Sequence, residues 1–279
     1  MRAETQILSG DVVSINLRIL EIQRRYRDVI ARELPAPVCA QLPATYILET
    51  VTLPFAPHLF REICLRLIPL LQESNPEADY VPLLSRLDDE ILWQLAGAVQ
   101  HSPEPDLAMA LDLAVREVRI DKLPVPEADA LRMLFLAALM PFFSAFARQQ
   151  TGIDLSRWQQ GWCPVCGQYP VNGFNRPQDG RRILGCWLCE TQWAYTRFTC
   201  PVCGCRGKDG QLLLVPRGGD RRRRIQVCEE CRHYLKITDC TQAGSGCDLQ
   251  LENSATIHLD VLAQRQGYRP ASHYRLLIQ

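Results

Sequence analysis

Cys163-Pro164-Val165-Cys166-Gly167 returns later in the chain as Cys200-Pro201-Val202-Cys203-Gly204. Each copy is followed by a second Cys-x-x-Cys, Cys186-Trp187-Leu188-Cys189 in the first case and Cys228-Glu229-Glu230-Cys231 in the second. Between the paired motifs lie 19 residues in the first copy and 24 in the second, room for one short hairpin. One tight turn carrying Cys-x-x-Cys offers two sulfurs to a metal, and a tetrahedral site needs four. Proline fixes φ inside the turn, and the glycine after the second cysteine is free to take the left-handed conformation. The spacing therefore predicts two tetrathiolate metal sites, Cys163/Cys166/Cys186/Cys189 and Cys200/Cys203/Cys228/Cys231. They sit in two tandem copies of one supersecondary unit.

Tetrahedral S₄ coordination suits iron and zinc alike, and the spacing does not choose between them. A closed tetrathiolate has no open coordination position, which favours a site that staples a small β-module over one that reacts. Redox-active iron is the competing reading.

The remaining cysteines read differently. The chain has 13, and its start, Met1-Arg2-Ala3-Glu4-Thr5-Gln6, lacks the basic-then-apolar pattern of a secretory leader. Metal ligation in a reducing compartment is the expectation, and disulfides are not. Cys205 reads as a peripheral thiol beside a completed site, with a spare ligand or reactive thiol as the alternative. Cys240 and Cys247 read as free thiols that could pair on oxidation. Cys39 and Cys64 read as small core side chains. His233 reads as a neighbour of the second site and not a ligand. Trp187, Trp193 and Tyr195 read as packing around the sulfur core. Arg221–Arg224 reads as a solvated hairpin tip, with an acidic partner or nucleic acid as the alternative.

Residues 1–155 read as helices. Apolar positions at helical spacing place one from Val12 to Ile30, with Asp11 as N-cap and Pro35 as stop. Others cover about 57–73, 80–100 and 126–150, and Ser102-Pro103 opens one more. Met133–Ala147 is the most apolar run. At 15 residues it is too short for a membrane span and reads as a buried core helix. After Thr151–Trp158 the texture changes to Gly, Pro, Cys and short β-prone runs at 182–184, 193–199, 212–215 and 224–227. A last helix covers about 254–266 and ends at Gly267. Residues 1–155 hold 14 basic and 21 acidic side chains, a net of −7; residues 156–279 hold 17 and 10, a net of +7. Two metal tetrathiolates, each −2, would bring the second half to about +3. The basicity thus offsets the metal sites, and the −7 half argues against nucleic-acid binding. No nucleophile–base set or phosphate-cradling glycine loop is evident.

The motifs at 163–166 and 186–193, the run through Arg197 into Cys200–Cys203, the stretch Cys228-Glu229-Glu230-Cys231-Arg232-His233-Tyr234-Leu235-Lys236, and a closing helix ending in Gly267-Tyr268 together resemble the formate dehydrogenase accessory protein family, FdhE. The likeness is specific over 163–236 and 254–268 and architectural over the helical half. The chain departs from the family pattern at Ala194, where histidine is common, and at Cys205, Cys240 and Cys247. The resemblance implies a cytoplasmic maturation protein, not an enzyme, that binds the catalytic subunit of formate dehydrogenase. It also implies rubredoxin-like iron on the eight paired cysteines.

The expected architecture is multi-domain α+β. A helical domain spans 1–155, rubredoxin-like (zinc-ribbon-like) four-cysteine modules span 156–198 and 199–240, and a segment with a helix spans 241–279. The expected cofactor is two metal ions per chain, iron favoured by the resemblance and zinc the alternative. The competing functions are a rubredoxin-like electron-transfer protein and a zinc-ribbon nucleic-acid binder.

Overall fold

The computed structural model describes residues 10–101, 107–117, 125–176, 178–207, 210–215, 220–240 and 247–272. They fall into two compact units, one within residues 1–39 and 48–151, the other within 40–47 and 152–274.

The first unit is helical: α1 (Gly10–Glu33), α2 (Ile47–Thr50, which begins at the boundary), α3 (Pro57–Ser74), α4 (Tyr80–Ser85), α5 (Asp89–Gln100), α6 (Leu107–Glu117) and α7 (Val125–Gln149). Asp11, expected as the N-cap, falls within the span of α1. The helix expected over 80–100 is broken at Arg86–Asp88. There the Asp88 carboxylate accepts from Ile91 N at 2.8 Å and starts α5 afresh. Aspartate competes with the helix for backbone donors, so it is found more readily at a cap than in an interior. The Ser102-Pro103 start lies outside the described residues. Core side chains come from α1 (Ile15, Ile19, Ile30), α3 (Phe60, Ile63, Leu67, Leu71) and nearly the whole circumference of α7. The stretch Ala128–Gln149 is long and apolar enough to cross a membrane, so length alone does not settle its role. Its apolar window is 83% buried in the protein, as a central core helix requires.

The second unit is one seven-stranded sheet covered by two short helices. Its strands are β1 (Asn172–Asn175), β2 (Arg182–Gly185), β3 (Gln192–Tyr195), β4 (Gln211–Leu214), β5 (Arg223–Cys228), β6 (His233–Asp239) and β7 (Arg269–Pro270). The order is β3-β2-β1-β6-β5-β4, with β7 beside the start of β6. Each cysteine repeat supplies an antiparallel three-stranded meander, β1-β2-β3 or β4-β5-β6. Parallel pairing of β1 with β6, in the register Asn172↔Lys236, fuses the two meanders.

The single C-terminal helix expected from sequence is two, α8 (Leu249–Ala255) and α9 (Ile257–Arg265). Between them the Thr256 hydroxyl donates to the carbonyls of Glu252 and Asn253, 2.6 and 3.3 Å away. Such back-bonding competes with the helical ladder. Gly267 takes φ +80° just past α9, as expected of a residue closing a helix. Leu249 of α8 packs with Phe174 and Ile183, and Leu259 and Ala263 of α9 pack with Ile225, Val227 and Tyr234. Beneath α9, Lys236 Nζ is 2.7 Å from Asp260 Oδ2 and donates to Asn253 O at 3.1 Å, while Tyr234 Oη donates to Asp260 at 2.8 Å. Burial pushes the Lys236 ammonium down, and Asp260 acts against that shift.

Candidate metal centres

All four Cys-x-x-Cys turns share one backbone geometry. The amide of the residue after the second cysteine donates to the carbonyl of the first: Gly167 to Cys163, Glu190 to Cys186, Gly204 to Cys200 and Arg232 to Cys228, at 3.0, 3.2, 3.0 and 2.9 Å. Closing the turn this way puts that residue in the left-handed region, with φ of +77°, +63°, +71° and +59° respectively. Glycine does this without strain, whereas Glu190 and Arg232 do it at a cost of about 1–2 kcal/mol. A further bond locks three of the turns, from Cys163 N to Gln168 O, Cys186 N to Thr191 O and Cys200 N to Cys205 O.

The hairpins bring the turns together in pairs. Sγ of Cys163 lies 3.4 Å from that of Cys189, and Cys166 lies 3.4 Å from Cys186. In the second group Cys200 is 3.6 Å from Cys231, and Cys203 is 3.7 Å from Cys228. Within each group all four sulfurs lie within 4.8 Å of one another, so each could hold a metal ion. A tetrahedron of M–S bonds near 2.3 Å has edges of about 3.8 Å, close to both sets of distances. Every one of the eight cysteines singled out from sequence is thus in one of these two groups, in the predicted fours.

Electrostatics also fits a cation. Burial would raise the Cys163 thiol, but hydrogen bonds from Cys166, Cys186 and Cys189 hold it well below its ordinary value. Cys166 and Cys186 are pushed well above theirs, first by burial and then by sharing with Cys163. One buried thiolate is therefore stabilised at its neighbours' expense, and charging all four calls for a metal. Backbone donors help: Val165 N points at Cys163 Sγ (3.4 Å) and Cys189 N at Cys186 Sγ (3.5 Å). In the second group burial pushes Cys231 up to about 11, against a hydrogen bond from the His233 amide. His233 thus contributes its backbone here, next to the group and not within it.

The two groups differ in cover. All four cysteines of the first are buried, as are Trp187 and Leu188 within their second turn and Trp193 on β3. Trp193 Nε1 donates to Gln160 O at 3.1 Å. In the second, Cys200 and Cys228 are buried, Cys231 is half-buried and Cys203 is exposed. Tyr195, on β3, reaches across to the Cys200 carbonyl at 3.3 Å. Gly161 permits the close approach of the two repeats, since a Cβ there would sit 1.9 Å from the Pro201 carbonyl oxygen. Sequence reasoning passed over Gly161, Glu190 and Arg232. Superimposing the four turns residue by residue would have marked the last two.

Cys64 is buried as expected, whereas Cys39 is only half-buried. Cys240 and Cys247 are joined as a disulfide, not free, with their Cα atoms 6.3 Å apart. Three arginines of the 221–224 run are paired: Arg222 with Asp220 at 2.9 Å, Arg223 with Glu252 at 3.0 Å and Arg224 with Asp239 at 3.6 Å.

Residues 162–197, the first sulfur group and its hairpin, match the family model described as "FdhE, central domain". A protein FdhE homolog of Aquifex aeolicus (strain VF5) is 34% identical over 143 residues, 50% of this chain and 50% of that protein. One from Shewanella baltica (strain OS223) is 28% identical over 241 residues, 74% of this chain and 78% of that protein. The chain is also similar to the crystal structure of the FdhE protein from Pseudomonas aeruginosa, with a TM-score of 0.52 at 20% identity over 96% of each chain. The chain is similar to FdhE proteins in sequence and in fold. The structural match covers 96% of the chain, so the likeness to that FdhE protein lies in the whole fold and not only in the cysteine motifs.

Proposed function

We propose that this FdhE-like protein is a cytoplasmic accessory factor, not an enzyme, that binds the catalytic subunit of a formate dehydrogenase and is needed for its activity. The observation that carries this reading is the pair of four-sulfur groups in a chain of FdhE architecture. Cys163, Cys166, Cys186 and Cys189 would hold one metal ion, and Cys200, Cys203, Cys228 and Cys231 a second. Iron is favoured on the family resemblance, with zinc as the alternative; bound iron supplies a one-electron couple and bound zinc only a cross-link. The chain's own part is to fix the sulfurs, neutralise them with backbone N–H groups and, at the first group, exclude water with Trp187 and Trp193.

Exposure of Cys203 favours rubredoxin-like electron transfer as the second reading, since one sulfur edge is open to a redox partner. Nucleic-acid binding loses support from the ion pairs that occupy three of the four clustered arginines. The test is affinity capture with the full-length protein under reducing, anaerobic conditions from cells making formate dehydrogenase. The proposal expects the catalytic subunit among the captured proteins. Recovery of an unrelated electron carrier or of nucleic acid, without that subunit, would overturn it.

A further inference from the structure

The two Cys-Pro-Val-Cys-Gly turns are copies of one structure, yet they differ in cover and in charge. Matching Cys163 to Cys200 pairs Gln160, Gly161, Cys166, Gly167 and Tyr169 with Arg197, Phe198, Cys203, Gly204 and Arg206. On the first copy a separate segment sits against the turn. Ile47 N donates to Pro164 O at 3.0 Å, and a Cβ on Gly167 would meet the Tyr46 ring at 2.8 Å. On the second copy a Cβ on Gly204 would meet nothing within 4 Å, and Cys203, Gly204 and Arg206 are exposed. Phe198 is 48% exposed beside them, since Gly207 N donates to its carbonyl at 3.1 Å and Thr199 bridges Arg206. The Arg197 guanidinium lies 5.7 Å from the Phe198 ring centroid. Neither Arg197 nor Arg206 makes an ion pair among the described residues. Residues 159–170 carry no charged side chain, whereas residues 196–207 carry two arginines and no acid.

We propose that this open second turn is the docking surface for an extended, acidic segment of a partner protein. The segment covers the second turn as Tyr46 and Ile47 cover the first. Its carboxylates pair with Arg197 and Arg206, and one of its apolar or aromatic side chains seats on Gly204 beside Phe198, as the Tyr46 ring does on Gly167. Two cations without acidic partners select an acidic occupant. The exposed ring supplies the apolar anchor that carries most of the affinity at such surfaces. A polypeptide is favoured over a nucleic acid on two grounds. The covered copy of the turn is occupied by polypeptide, and two arginines neutralise too few phosphates to hold a polyanion firmly. This inference rests on the accessory-factor reading and names the surface on which the client docks.

The test is quantitative affinity capture of the formate dehydrogenase catalytic subunit by full-length protein, with metal per chain measured on each variant as the check on folding. Arg197→Glu/Arg206→Glu is expected to cut recovery of the subunit by about tenfold or more, with the largest loss at low salt. Arg157→Glu/Arg265→Glu, the same change of charge at two other exposed arginines, is expected to match the wild type. Phe198→benzoylphenylalanine, irradiated during capture, is expected to cross-link to a segment of the subunit rich in Asp and Glu. That cross-link decides the matter if the charge-reversed variant loses its metal. Recovery by a metal-replete Arg197→Glu/Arg206→Glu variant equal to wild type would overturn the docking surface and leave the accessory-factor reading standing. A cross-link from position 198 to nucleic acid, or to a segment without acidic residues, would overturn the surface as well. Wild-type protein that captures no catalytic subunit would instead overturn the accessory-factor reading, and the surface with it.

Discussion

The glycines that close the cysteine turns are not equivalent. Gly167 and Gly204 both hold φ in the left-handed region, so alanine at either is strained by about 1 kcal/mol. At Gly204 nothing lies within 4 Å of the added methyl, whereas at Gly167 it would meet the Tyr46 ring at 2.8 Å. Thermal melting of the metal-loaded variants should therefore rank Gly167→Ala well below Gly204→Ala, by a further 1–3 kcal/mol or so for overpacking. Equal losses would mean that Tyr46 does not seat on the turn. Cys163→Ser should drop the metal content from two to one and lower Tm, since metal affinity is coupled to the folding of the hairpin around it. At this scale the sequence was most legible: the grouping of the cysteines into fours followed from residue type and spacing alone. Glu190 and Arg232 were missed because left-handed residues other than glycine carry no compositional mark. The Cys240–Cys247 bond was read only as the alternative to free thiols, because spacing alone does not fix the distance between two cysteines.

At the scale of elements, the strands read from sequence were β2 to β5, each rich in β-branched, aromatic or leucine residues. The strands that join the two repeats into one sheet went unread. β1 is Asn172-Gly173-Phe174-Asn175, poor in strand formers and held by its neighbours on both sides. β6 includes Lys236, whose buried charge belongs to no amphipathic pattern. Lys236 and Asp260 tie β6 to α9, with side chains only 4% and 14% exposed. Breaking a buried pair strands the remaining charge and costs about 3–5 kcal/mol. Lys236→Met should destabilise the second unit by about that much in chemical denaturation, and adding Asp260→Leu should restore most of it. Failure of the second substitution to rescue would point to a requirement for the charge itself. Helix boundaries erred where an interior polar residue outcompetes the ladder, at Asp88 and Thr256. Asp88→Ala should cost the helical unit about 1 kcal/mol, read as a shift of the urea midpoint with unchanged slope.

Across the whole molecule, opposite net charges on the two halves and the abrupt change of texture near Thr151 marked a helical part and a cysteine-bearing part. The structure divides there too, although residues 40–47 join the second unit, where Ile47 N donates to Pro164 O at 3.0 Å. No periodicity in that short segment announces it, because a single tertiary hydrogen bond leaves no sequence pattern. The proposed role requires both sulfur groups to hold a metal ion. Elemental analysis of anaerobically purified, full-length protein is the most direct measurement. Eight cysteines in two complete fours predict about two iron or zinc ions per chain. A value near one, or near zero, in protein whose eight paired cysteines are all reduced would contradict it.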